Sequence, residues 1–130
     1  MEPRLRAGRP HAEGKRVPAI FYRTESGREP VREWLLSLPF PDDRKRIGED
    51  IKTIEFGWPI GMPACRPLGG GLHECRTGLG NNRTARVLFY VDVQNRMVLL
   101  HAFIKKSRRT PDEELTQARA NQMKHRRSLE

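Results

Sequence analysis

Long apolar runs are missing from this sequence, cysteines are few, and acidic residues fall well short of basic ones. No stretch approaches the roughly 20 apolar residues that a membrane-spanning helix needs, which excludes a helical membrane protein. The amino end carries no apolar core of a secretory signal, so the cytoplasm is the expected compartment. Cys65 and Cys75 alone cannot build a disulfide framework and suit reduced thiols. With His73 they also lack the paired CxxC spacing of structural zinc, and neither a metal nor another cofactor is expected. Gly69-Gly70-Gly71 is followed by no GK[ST], which removes the phosphate-cradling loop of nucleotide-binding proteins and leaves a bend into the next strand.

What is present is positive charge. Lys and Arg number 25 against 16 Asp and Glu, a formal net charge of +9, and the basic set is dominated by arginine. Such a surplus points to a polyanion or a strongly acidic partner protein. The arginine bias favours planar, forked contacts to phosphate over point-charge attraction. At 130 residues, with 36% hydrophobic and 32% charged residues, the chain suits one soluble domain.

Residues 1–16 are basic, rich in Pro and Gly and without apolar periodicity, which predicts a disordered tail ahead of a domain over 17–127. Val17 to Arg23 alternates as a strand. Pro30 opens a helix whose stripe is Val31, Trp34, Leu35 and Leu38, closed by Pro39 and Pro41. Asp42 or Asp43 can cap a second helix bearing Ile47, Ile51 and Ile54, with Gly57 as its stop. Trp58 to Gly71, crowded with Gly and Pro, reads as a loop of a length that favours a function.

Three strands follow. Leu72 to Arg76 is bounded by the turn-rich Thr77–Asn82. Thr84 to Asp92 sets Ala85, Val87, Phe89 and Val91 against Arg86, Leu88 and Tyr90. Met97 to Ile104 sets Val98, Leu100, Ala102 and Ile104 against Met97, Leu99, His101, Phe103 and then Lys105. The last two read as an antiparallel hairpin through Asn95. Laid side by side, the three can bring Arg76, Arg86, His101 and Lys105 onto one face, with His73 pointing away. Thr110 and Glu113 have capping-box spacing, and Pro111 suits the start of a last helix with a thin stripe of Leu115, Ala118 and Gln122. That helix is expected to pack loosely or to complete an interface with a partner.

This order of elements, with LHECR, ARVLFY and LLHAFIKKSRRTPDEEL, resembles the RelE/ParE toxin superfamily over about residues 17 to 122, and within it the HigB-like, phage-associated branch. The resemblance implies an α+β fold of microbial-ribonuclease type: an antiparallel sheet of about four strands, two helices on one face and a C-terminal helix. It implies an mRNA endoribonuclease of a type II toxin–antitoxin system, working on the ribosome and silenced by a cognate antitoxin of helix-turn-helix type. It places Arg76, Arg86, His101 and Lys105, with Lys106, where relatives carry active-site or RNA-binding residues, the first four being the expected catalytic set. Lys106 can hold phosphate, and Arg66, Arg83, Arg108 and Arg109 are assigned only to attraction of the RNA backbone. His73 stands where many relatives have Tyr or Trp, and Cys75 where Leu is frequent.

Metal-free cleavage of RNA removes a proton from a 2′-hydroxyl, stabilises a negative phosphorane and protonates the leaving 5′-oxygen. Arg76 and Arg86 suit the middle task, since arginine stays charged at any working pH. His101 can exchange a proton near neutrality, or can be a packed histidine under the last helix. Lys105 can hold phosphate or move a proton. Glu74 is an alternative base or the ion-pair partner of Arg76. Two further readings stay open: a ParE-like toxin that acts on DNA gyrase without cutting RNA, and a basic nucleic-acid-binding module without turnover.

Overall fold

The computed structural model describes residues 14–105 and 109–130. The elements run β1 (Ala19–Phe21), α1 (Pro30–Ser37), α2 (Pro41–Gly57), β2 (Cys65–Gly69), β3 (Leu72–Gly80), β4 (Arg83–Val91), β5 (Met97–Lys105) and α3 (Asp112–Ser128). This is the α+β architecture the sequence implied, with one more strand and a mixed sheet. The order across the sheet is β1-β5-β4-β3-β2, and β1 pairs with β5 in parallel while every other pair is antiparallel.

The added strand, β2, lies inside the stretch that reads as a loop. Its Pro67 removes a ladder donor and its Gly69 weakens strand character, but β2 is an edge strand with a neighbour on one side only. Edge position is a tertiary fact, and the local composition concealed it. Gly69, Gly70 and Gly71 then take φ of +92°, +62° and +81° to turn the chain into β3, a left-handed run that side chains resist. β3 also continues past Arg76 to Gly80, and Asn81 and Asn82 with positive φ make the tight turn into β4.

Helices α1 and α2 pack on one face. Pro30 and Pro41 sit in their first turns, where the missing N–H costs nothing. Asp42 and Asp43 fall inside α2 rather than capping it; its N-cap is Phe40, without a side-chain cap bond. Ile47, Ile51 and Ile54 share one side of α2 and are buried against Cys75, Ala85, Val87, Phe89, Met97 and Leu99 of the sheet. Each such side chain contributes roughly 1.5–3 kcal/mol by leaving water. Cys65 and Cys75 lie opposite one another across β2 and β3 within this core, both as free thiols. Burial pushes Cys65 up to about 11 and Cys75 up to about 12, so both are inert apolar packing.

Lys15 and Arg16, placed by the sequence reading in the tail, are fastened to α2. Lys15 pairs with Glu55 at 3.1 Å, and the Arg16 N–H donates to the Glu55 carbonyl at 2.8 Å. The rest of that tail, residues 1–13, lies outside the described residues.

Helix α3 covers the opposite face of the sheet. Its packing is closer than the thin apolar stripe suggests, because polar side chains supply most of the hold. Arg119 donates to the carbonyls of Leu68 and Gly69 at 2.9 and 3.1 Å, and Gln122 to that of Gly70 at 3.0 Å. Asn121 donates to the Leu100 carbonyl at 2.9 Å. That carbonyl is available because β5 bulges: Leu88 pairs with His101 and Phe89 with Leu99, which leaves Leu100 without a partner residue on β4. The bulge also overturns the strict alternation expected of this strand. Met97, Leu99 and Ala102 face α1 and α2, whereas Val98, Leu100 and Phe103 face α3.

Candidate nucleic-acid interface on the α3 face

Register decides which charged residues meet. Arg76 lies opposite Arg86, Arg86 opposite Phe103, Leu88 opposite His101, Thr84 opposite Lys105, and Arg66 opposite Glu74. Cross-strand partners share a face, so Arg66, Glu74, Arg76, Arg86, His101 and Lys105 all belong to the α3 side. With strands about 4.8 Å apart, the backbones of Glu74 and His101, two strands distant, lie about 10 Å apart.

The centre of this face is a fully buried ion pair. Glu74 and Arg86 are both 0% exposed, with Arg86 Nη1 3.8 Å from Glu74 Oε2. Thr110, just ahead of α3, joins them: its hydroxyl donates to Glu74 Oε2 at 2.7 Å and accepts from Arg86 Nη1 at 3.4 Å. Desolvation lowers the Arg86 pKa, with the Glu74 carboxylate opposing that shift and the Arg76 and Arg66 charges adding to it. Arg86 stays protonated at any working pH all the same. It has no exposed surface, so it offers no atom for direct contact from solvent.

The outer ring is accessible. Arg76 is 30% exposed and its Nε lies 3.7 Å from Glu74 Oε1, the ion pair the sequence offered as one role for that carboxylate. His101 Nε2 is 2.6 Å from Glu114 Oε1, with both side chains partly exposed. An ionised carboxylate only accepts, so opposite it Nε2 is the donor and Nδ1 the nitrogen turned from the contact. Lys105, at the end of β5, and Arg66, on β2, are half-buried on the same side. Arg109, next to Thr110 in the chain, is exposed.

Other expected residues stand elsewhere. Arg83 lies on the α2 side of the sheet, where it donates to Asp43 at 2.9 Å and to the Leu79 carbonyl at 3.0 Å, with Phe40 under its guanidinium. It fastens α2 and is not part of the α3 face. Lys106 and Arg108 lie outside the described residues. His73 points away from Arg76, as strand alternation required, and packs between Trp58 and Phe89 with its pKa lowered by burial. Among the described residues no group of three or more His, Cys, Asp or Glu is gathered where a metal ion could be held.

Two members of the site escape a sequence reading. Thr110 has the spacing of a helix cap, but α3 begins after Pro111 with no side-chain cap bond, and the hydroxyl is used on Glu74 instead. Glu114 reads as an ordinary acidic residue complementing the start of a helix dipole. Only the docking of α3 reveals its pairing with His101.

Residues 33–123 match the protein family described as Phage derived protein Gp49-like, and that span covers every element from within α1 into α3. A comparison with curated proteins finds no match.

Proposed function

The chain belongs to the Gp49-like phage-derived family, a RelE-like toxin family of toxin–antitoxin systems, and from that premise we propose that it is an mRNA endoribonuclease of the HigB-like branch. The family implies an antitoxin partner, which in our reading is a helix-turn-helix protein. The observation that carries the enzymatic reading is the gathering of Arg76, His101 with Glu114, and Lys105 over a buried Arg86–Glu74 pair on one face of the sheet. The His101–Glu114 contact sets a ring able to carry a proton on the same face as the arginines, which proton transfer needs and attraction of phosphate alone does not.

In the proposed reaction the 2′-hydroxyl attacks the adjacent phosphorus and the 5′-oxygen departs, leaving a 2′,3′-cyclic phosphate. His101 Nδ1 exchanges one of the two protons in flight, taking that of the 2′-hydroxyl or supplying that of the leaving 5′-oxygen, and solvent water exchanges the other. Arg76 donates to the equatorial oxygens of the phosphorane, Lys105 adds positive charge at the rim, and Arg86 raises the potential from beneath. Arg66, Arg109, Lys106 and Arg108 draw the RNA backbone, which makes binding sensitive to salt. Translating ribosomes are the proposed site of action.

The test is brief induction in bacteria followed by mapping of new transcript 5′ ends. Arg76→Ala is a cleaner variant than Arg86→Ala, because Arg76 reaches solvent and its loss leaves the Arg86–Glu74 pair in place. Cuts inside translated codons that vanish in Arg76→Ala are expected. Intact transcripts despite growth arrest would sink the ribonuclease reading and turn attention to DNA gyrase.

A further inference from the structure

We propose that Glu74, itself held by Thr110, is the positioning residue that fixes the Arg76 guanidinium for an anionic phosphate; the inference rests on the reading of this face as a ribonuclease site. Glu74 is fully buried at the centre of the face, and its two oxygens are put to different uses. Oε2 is turned inward, where it accepts the Thr110 hydroxyl proton at 2.7 Å and faces Arg86. Oε1 is turned toward Arg76 Nε at 3.7 Å, an ion-pair separation beyond hydrogen-bonding reach.

Both atoms of that second contact are buried, and neither has a hydrogen-bond partner among the described residues. The side chain of Arg76 as a whole is nevertheless 30% exposed. The buried Nε edge of the guanidinium is therefore set against a carboxylate oxygen while the side chain as a whole still reaches solvent. A buried pair serving stability alone needs only the Glu74–Arg86 contact. Aiming the spare oxygen at an arginine that reaches solvent is what preorganisation of a phosphate donor requires. Separations of this kind are commonly long before the ligand arrives and close when it binds.

Thr110 is the handle by which this can be tested, since Thr110→Val keeps the shape of the side chain and both charges of the pair. The full chain is assayed for cleavage of mRNA on translating ribosomes, and the Arg76 Nε–H is followed by nitrogen-15 NMR for its exchange with solvent. Thr110→Val is expected to lower kcat about tenfold with KM unchanged and to speed exchange of the Arg76 Nε–H, whereas Thr110→Ser, which restores the donor, stays within about twofold of the parent. Should Thr110→Val not fold, Thr110→Ala carries the same test, because it removes the hydroxyl and keeps both charges of the buried pair.

An unchanged kcat in Thr110→Val, a failure of Thr110→Ser to restore it, or a fall in kcat with Arg76 exchange unaltered would each overturn the positioning role. If the parent chain releases no cut RNA, the ribonuclease reading falls by itself. Arg76 exchange still decides the tether in that case, and equal rates in parent and Thr110→Val would overturn it too.

Discussion

The two faces of the sheet are held by different physics. Against α1 and α2 the sheet presents Cys75, Ala85, Val87, Phe89, Met97 and Leu99, and the helices answer with Val31, Ile47, Ile51 and Ile54. Against α3 it presents Glu74, Arg86 and the Leu100 carbonyl beside a smaller apolar cluster, and the helix answers with Asn121, Gln122, Arg119 and, just ahead of it, Thr110. Burial of area is tolerant of detail, whereas directed polar bonds are not. The face that takes the more exacting solution is also the one that collects Arg76, His101 and Lys105.

The largest expected break in that contrast is Arg86→Ala. Removing one partner of a fully buried pair leaves Glu74 with only the Thr110 hydroxyl and the partly exposed Arg76 against its charge, and should cost roughly 3–5 kcal/mol in urea unfolding. Ile47→Val, on the other face, should cost only about 0.5–1.5 kcal/mol. Equal losses would mean that the buried pair is no more demanding than ordinary packing. Replacing Arg86 and Glu74 together by Met should cost less than Arg86→Ala alone, since no charge is then stranded.

Gly70→Ala tests how α3 is held. Gly70 has φ +62°, and a Cβ there would stand 3.2 Å from Arg119 Nη1, the group that grips the β2–β3 turn. Left-handed backbone alone should cost about 1–2 kcal/mol, and faster amide exchange in α3 than in α2 would place the damage on the polar face. Uniform exchange changes would deny that the turn and α3 are coupled.

The smallest effect is a dependence on pH. Tyr90 O–H and His125 Nδ1 are 2.6 Å apart, and Arg126 lies over the Tyr90 ring. Burial is the main cause of the lowered His125 pKa, with Asp92 opposing it and Arg96 adding to it. In the folded state the neutral ring is preferred, so the unfolded chain takes up the proton first as pH falls. Stability from this residue is therefore complete above the unfolded value of about 6.5 and is lost as pH drops toward the lower folded value. His125→Gln should flatten that part of a stability–pH curve, and an unaltered slope would show that folding does not shift the proton affinity of this histidine.

How much of this was readable beforehand follows the same division. The apolar face announces itself by period, as with Ile47, Ile51 and Ile54 or with Val87 and Phe89, because hydrophobic spacing reports directly on burial. The polar face does so only in part. Arg76 and Arg86 could be placed together by strand alternation, but the bulge at Leu100 altered the alternation of β5, and nothing local marks a bulge. β2 was hidden by Pro67 and Gly69, since its place at the sheet edge depends on the rest of the fold. Thr110 looked like a cap and Glu114 like a dipole charge, and the true partners of both lie far away in the chain. The burial of Arg86 was equally out of reach, because it depends on where α3 and Thr110 come to rest.

The most direct measurement is the chemistry of the cut. Purified chain and its Arg76→Ala variant are incubated with translating ribosomes carrying a labelled message, and the new 3′ ends are analysed. The account predicts 2′,3′-cyclic phosphates made by the parent chain without added metal, a rate lower by about 10²–10³ in Arg76→Ala, and the same unfolding midpoint for both proteins. Uncut message, or cuts made as well by Arg76→Ala, would contradict it.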